Sequence, residues 1–251
     1  MVIFAHLNCP RYPLRRIGKQ LSGGKPEPMK VDHLENRRLF DYNRNLLPNA
    51  YLAELEGHYT DLESALKHTG LSIGYPAWNM LYYSLFCALP PDEKEVYVVE
   101  TGTNAGWSAV ILAQALKDRK LECKLQTIDI SRDFAEIAVV NIYRAGVSDY
   151  VQLNVGDSLD FLTQYVEKVP RVDFAYLDGN HETDHVVKEF EILHPRLTSP
   201  YSTVYFDNSK EYGVAEAIHI IQERFGGNVV ELPNCSWGPP GNAMWQPPRK
   251  R

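Results

Sequence analysis

The chain has 251 residues, enough for one domain with a full core and an appendage, and its 44% hydrophobic and 23% charged composition is that of a globular protein. A net charge of −6 argues against a nucleic-acid-binding or anionic-membrane surface, and no apolar run approaches membrane-spanning length. Cys9, Cys87, Cys123 and Cys235 are scattered with no C-x-x-C pair, which argues against a zinc site or disulfide scaffold and for reduced thiols in a cytoplasmic setting. Residues 1–10 are apolar in part but lack the basic region of a signal peptide. The basic runs at 11–19 and 249–251 read as solvated tails.

Residues 1 to about 50 are irregular, with Gly23-Gly24-Lys25-Pro26-Glu27-Pro28 as a breaker cluster, and are expected to wrap the body or cover a site. Over 50–68, Leu52, Leu55, Tyr59, Leu62 and Leu66 keep helical spacing, and Gly70 ends the segment. A second helix runs from Tyr75-Pro76-Ala77-Trp78 to Ala88, so that two helices precede the first strand. From there strands and helices alternate. Strands are expected at 96–99, 125–129, 151–155, 172–177 and 203–206, with helices after each, the last carrying Val214, Ala217, Ile218, Ile221 and Phe225. The alternation predicts an α/β, Rossmann-like doubly wound sheet, mostly parallel, with helices on both faces and ligands at the carboxyl ends of the strands.

The segment Val98-Val99-Glu100-Thr101-Gly102-Thr103-Asn104-Ala105-Gly106-Trp107-Ser108 carries the most information. An apolar strand meets a carboxylate, then a glycine turn where a ligand can approach the backbone, then a helix. A dinucleotide fingerprint would read G-x-G-x-x-G. Here E-x-G-x-x-x-G places Glu100 where a phosphate would be repelled, which suits a neutral or cationic nucleoside such as S-adenosylmethionine (SAM). The other expected strands also end in polar residues: Asp129, where both ribose hydroxyls would be accepted; Gly156-Asp157-Ser158, suited to an adenine edge; Asp178-Gly179-Asn180-His181; and Asp207-Asn208. Asp is a frequent helix cap, but five polar strand ends are more than capping requires. Asp178, Asp207 and Asn208 supply hard oxygen donors for Mg²⁺, Mn²⁺ or Ca²⁺. The competing reading makes them turn and cap residues. His181 lies three residues past Asp178, with His185 one turn further on as a rival base.

Together V-V-E-T-G-T-N-A-G-W-S, T-I-D-I, V-G-D-S, Y-L-D-G-N-H and Y-F-D-N resemble class I SAM-dependent methyltransferases, and more narrowly the metal-dependent small-molecule O-methyltransferases that act on catechols and macrolide sugars. The resemblance covers about residues 70 to 225. It implies cofactor contacts from Glu100, Gly102, Thr103, Gly106, Ser108, Asp129, Gly156, Asp157 and Ser158, and a metal, Mg²⁺ first, held by Asp178, Asp207 and Asn208. His181 falls where catechol-type enzymes place a lysine base and sugar-type relatives a histidine. The implied catalytic pair is therefore His181 and Asp178. The chain then divides into an N-terminal extension and cap helix, 1–69, and a methyltransferase domain, 70–251, with a tail rich in Pro, Gly and Trp that includes Trp237 and Trp245.

The expected reaction is methyl transfer from SAM to a hydroxyl of a small molecule in natural-product chemistry: a vicinal diol, a sugar or a phenol. Metal lowers the hydroxyl pKa and His181 takes the proton. Trp107 is placed beside the cofactor, and Tyr75, Trp78, Tyr82 and Tyr83 either wall the acceptor pocket or fill core. No nucleic-acid or membrane partner is implied, and the terminal extensions suit a homo-oligomer. An N-methyltransferase, or a non-catalytic module on the same fold, fits the same residues, whereas the E-x-G-x-x-x-G loop disfavours an oxidoreductase.

Overall fold

A computed structural model describes residues 49–58, 62–70, 73, 77–89, 94–232 and 241–248. Expectations that fall on residues 1–48, on Tyr59, Tyr75, Cys235 and Trp237, and on the basic run at 249–251 lie outside them. Among the described residues, helices α1 (Ala50–His58), α2 (Leu62–Thr69) and α3 (Ala77–Ala88) precede the sheet. Then follow β1 (Val98–Thr101), α4 (Trp107–Asp118), β2 (Leu125–Asp129), α5 (Arg132–Arg144), β3 (Val151–Val155), α6 (Ser158–Lys168), β4 (Phe174–Leu177), α7 (Thr183–Leu193), β5 (Thr203–Asp207), α8 (Tyr212–Phe225), β6 (Asn228–Glu231) and β7 (Asn242–Gln246).

The strands form one sheet in the order β3-β2-β1-β4-β5-β7-β6. β1 to β5 pair in parallel, as expected. β7 inserts between β5 and β6 and runs antiparallel to both. Central strands β1, β4 and β5 are buried at every position, because helices cover both faces and remove the polar alternation of a one-sided sheet. α3, α4 and α5 pack in succession, as do α6, α7 and α8. The second set closes on Val99, Ala175, Leu177, Val204, Phe206 and Trp245. α4 is buried all round over its first ten residues, as a central helix must be. The strand expected at 96–99 lies two residues later, so Glu100 and Thr101 belong to the strand rather than to its turn.

Residues 242–246, expected within the tail rich in Pro, Gly and Trp, are instead a core strand. Trp245 is 1% exposed, stands edge-on to Phe190 with ring centroids 4.9 Å apart, and donates from Nε1 to the Gly226 carbonyl at 2.7 Å. Trp78 and Tyr82, weighed as pocket walls, are buried in α3.

Candidate active site

The chain reverses its winding between β1 and β4, and the carboxyl ends of these two strands are the natural ligand crevice. Two close contacts build it. The Asp178 N–H donates to the Thr101 carbonyl at 3.1 Å, and a Cβ placed on Gly102 (φ 85°) would lie 2.0 Å from the Asp178 carbonyl oxygen. Only glycine lets the two turns meet, so the turn after β1 and the turn carrying Asp178 are one mechanical unit.

Above them opens a cleft of about 540 Å³, within the usual size range of small-molecule sites. It is lined by Gly102, Thr103, Ser108, Asp129 and Trp107, together with the exposed apolar side chains of Ile130 and Phe134. Asp178, His181, Asp207, Asn208 and Tyr176 line the same cavity. The two expected constellations therefore share one cavity. Asp129 is fixed by backbone donors, its Oδ2 accepting from the Asn104 N–H at 2.6 Å and its Oδ1 from the Ser131 N–H at 2.8 Å. Asn104 adopts φ 46° to make this contact, a conformation asparagine tolerates better than most residues.

Glu100 is fully buried beneath the glycine turn, and neither carboxylate oxygen has a hydrogen-bond partner. Burial pushes its carboxyl up to about 7; the nearby Ser108 and Thr127 hydroxyls favour the charged form but offset only part of that penalty. Gly106, at the N-terminus of α4, packs on Ala138 of α5 rather than lining the cavity. Gly156, Asp157 and Ser158 also lie outside the lining. Asp157 caps α6, its Oδ1 accepting from the Leu159 N–H at 2.9 Å and the Asp160 N–H at 3.2 Å. Ser158 Oγ lies 2.9 Å from His185 Nε2, which also faces the buried Glu189 at 3.4 Å. His185 is thereby held in a separate polar cluster.

Asp178 and Asp207 are in contact, and burial first, then each other's charge, raises the Asp207 carboxyl well above the usual range. Asp178 is raised too, chiefly by burial, with His181 acting in the opposite direction. Tyr176 donates to Asp178 Oδ2 at 3.3 Å, whereas Asp207 Oδ1 is buried with no partner. A partly exposed carboxylate and a buried one with an orphaned oxygen, beside an amide, form a donor set that fits a hard cation. Among the described residues no group of three or more His, Cys, Asp or Glu side chains forms a metal cluster; the set here is two carboxylates and one amide.

His181 is bracketed. Its Nε2 lies 3.5 Å from Asp178 Oδ1 and its Nδ1 2.9 Å from Glu211 Oε2. Asp178 is the main cause that raises the imidazole above its ordinary value; burial, the next largest effect, opposes it, and Glu211 adds a lesser push upward. Asn208 (φ 51°) donates from Nδ2 to Glu211 Oε1. Glu211 and Tyr176 were not among the expected site residues. Tyr176 was legible, since period-two alternation puts it on the same strand face as Asp178. Glu211, three residues past Asn208, looks in sequence like an ordinary acid at a helix start.

Residues 99–209 match a protein-family model described as a methyltransferase domain. The matched residues form a SAM-dependent methyltransferase domain of the O-methyltransferase type. Catechol O-methyltransferase of Niastella koreensis is 26% identical to the methyltransferase over 164 residues, covering 63% of this chain and 70% of the relative. Catechol O-methyltransferase B of Danio rerio is 27% identical over 174 residues, covering 64% and 62% respectively. An Aspergillus flavus O-methyltransferase is 25% identical over 141 residues, spanning 54% of this chain and 52% of its own length. The fold is shared with an O-methyltransferase from Bacillus cereus solved in complex with SAH (TM-score 0.61, 20% identity, covering 81% of this chain and 93% of that one). It is also shared with an O-methyltransferase from Streptomyces achromogenes in complex with SAM (TM-score 0.56, 21% identity, covering 70% and 81%). No described helix of the methyltransferase is long and apolar enough to cross a membrane.

Proposed function

We propose that this methyltransferase acts on a small molecule bearing two adjacent oxygens, a catechol or a vicinal diol, with a divalent metal held by Asp178, Asp207 and Asn208 and with His181 as base. The observation that carries this reading is the Asp178–Asp207 pair at the cleft, with the buried, unpartnered Asp207 oxygen. Two like charges in contact disfavour ionisation of both, and a cation between them reverses that balance. The names of the curated relatives, catechol O-methyltransferases among them, agree with such an acceptor.

SAM would lie along the Gly102 turn, its ribose hydroxyls on Asp129 and its adenine against Ile130 and Phe134, with Thr103 and Ser108 along the wall. Glu100 beneath the turn offers a negative charge to a cationic donor and repels a phosphorylated one. The metal, Mg²⁺ by the hardness of its donors, supplies Lewis acidity that makes the acceptor hydroxyl acidic near neutral pH. Bound SAM would supply the methyl group to the acceptor oxygen, leaving as S-adenosylhomocysteine, and Nε2 of His181 would take the hydroxyl proton. Asp178 faces that nitrogen and stabilises the imidazolium that results. The turn contacts between Gly102 and Asp178 hold donor and acceptor ends in register, so positioning contributes to the rate.

The test is calorimetric titration with SAM, with Mg²⁺ and after chelation, followed by methylation assays on catechol and vicinal-diol acceptors with product analysis. SAM binding is expected in both conditions and turnover only with metal. Asp178→Ala is expected to lower turnover about a thousand-fold while SAM still binds. Full turnover after chelation, or metal-dependent turnover retained in Asp178→Ala, would overturn the metal assignment.

A further inference from the structure

Glu211 stands at the boundary of α8 with the extended backbone of a capping residue (φ −68°, ψ 140°), yet its side chain makes no capping bond to the helix. Both carboxylate oxygens turn into the site instead. Oε2 lies 2.9 Å from His181 Nδ1, and Oε1 accepts from Asn208 Nδ2. The Glu211 N–H donates to the Asn208 carbonyl at 2.8 Å and closes the turn between them. One side chain thus ties the turn after β4 to the turn after β5.

We infer that Glu211 is a positioning residue that fixes which atoms of His181 and Asn208 face the cleft; the inference rests on the function proposed above. A carboxylate accepts hydrogen bonds and donates none. The imidazole nitrogen that faces Glu211 therefore carries the hydrogen, and in the neutral ring Nε2 keeps its lone pair. Nε2 has no hydrogen-bond partner and lies on the Asp178 side, 3.5 Å from Oδ1. The same logic sets the amide of Asn208. Its nitrogen faces Glu211, so Oδ1 is the arm left for a cation. Without Glu211 either group is free to turn over, presenting a donor where the chemistry needs an acceptor. Gly213 secures the arrangement from behind: a Cβ there would lie 2.1 Å from the His181 carbonyl oxygen, so the first turn of α8 packs directly on the loop that carries the histidine. A carboxylate behind a histidine or a metal ligand is a recurrent means of fixing orientation, and its loss typically lowers metal affinity or activity about 10–100-fold.

The test uses the full chain labelled with ¹⁵N-histidine, with His181 assigned from the spectrum of His181→Asn, at a pH where the ring is neutral. Mn²⁺ binding is followed separately by electron paramagnetic resonance. The wild type is expected to carry its His181 hydrogen on Nδ1. Glu211→Gln keeps the size of the side chain but offers one acceptor oxygen where two are used. It is expected to move His181 toward the Nε2–H form, to weaken Mn²⁺ binding about 10–100-fold, and to lower kcat while the Kd for SAM stays unchanged. A wild-type His181 with its hydrogen on Nε2 overturns the inference, as does a Glu211→Gln protein with unchanged His181 resonances and Mn²⁺ affinity. If Glu211→Gln does not fold, the wild-type tautomer alone decides. Full turnover in His181→Ala, or no Mn²⁺ binding by the wild type, would refute the proposed base or metal instead, because the tautomer is read without turnover or metal.

Discussion

At the scale of single residues, Glu100 makes the protein sensitive to pH. Its carboxyl is held at about 7 by burial, so between its ordinary value and that point the folded chain binds more protons than the unfolded chain. Stability therefore falls as pH rises through this window, and above it the full penalty applies, on the order of 3 kcal/mol. Glu100→Gln removes the penalty. The ligand-free variant is expected to melt above the wild type at about pH 8, with the difference shrinking to nothing by about pH 4. Thermal melting across that range measures it, and a pH-independent difference would show that the buried charge is not its source. Under the proposed function the same substitution is expected to weaken SAM binding, because it removes the buried negative charge two residues before the Gly102 turn. A stabilised, poorly binding variant is the signature of a group kept for function at a cost in folding.

At the scale of elements, the site is a junction of turns, and two glycines govern different joints. Gly102→Ala drives a Cβ into the Asp178 carbonyl at a φ of 85°, and is expected to abolish SAM binding and destabilise the fold by about 1–3 kcal/mol. Gly213→Ala pushes instead on the His181 carbonyl. Its kcat is expected to fall about 100-fold with SAM affinity unchanged, since a small misplacement of the reacting groups leaves cofactor binding intact. Steady-state kinetics and calorimetry on both variants separate the joints; parallel losses of SAM binding would mean that the two turns do not act separately. The strand ends were legible in sequence because an apolar run meeting Asp or Glu and then Gly has few structural meanings at a sheet edge. Tertiary engagement was not. Asp157 and Ser158 carry the residue types of a ligand contact, yet a helix N-terminus and His185 claim them first. Glu211 was missed for the converse reason: an acid at a helix start is ordinary, and only the fold brings His181 to it.

At the scale of the whole molecule, the parallel part of the sheet could be read from βα alternation, but the antiparallel margin could not. Asn242–Gln246 lies among prolines and glycines, and a strand covered on both faces shows no alternation to betray it. Trp245 decides the packing of that margin. Trp245→Ala is expected to cost about 3–5 kcal/mol in urea unfolding, the usual penalty for emptying a fully buried indole site. A loss below about 1 kcal/mol would show that the strand is peripheral to the core.

The place of β7 between β5 and β6 has a consequence for biosynthesis. β5 carries Asp207, and its outer partner is Asn242–Gln246, with Asp207 opposite Asn242. A chain emerging from the ribosome therefore presents β5 as a bare edge through the whole synthesis of α8 and β6. The strand that bears one of the proposed metal donors is seated only when the later one arrives to fill the gap. Seating of Asp207 thus waits on residues made about 35 positions later, and a chain released before residue 242 would expose an unpaired apolar edge to its neighbours.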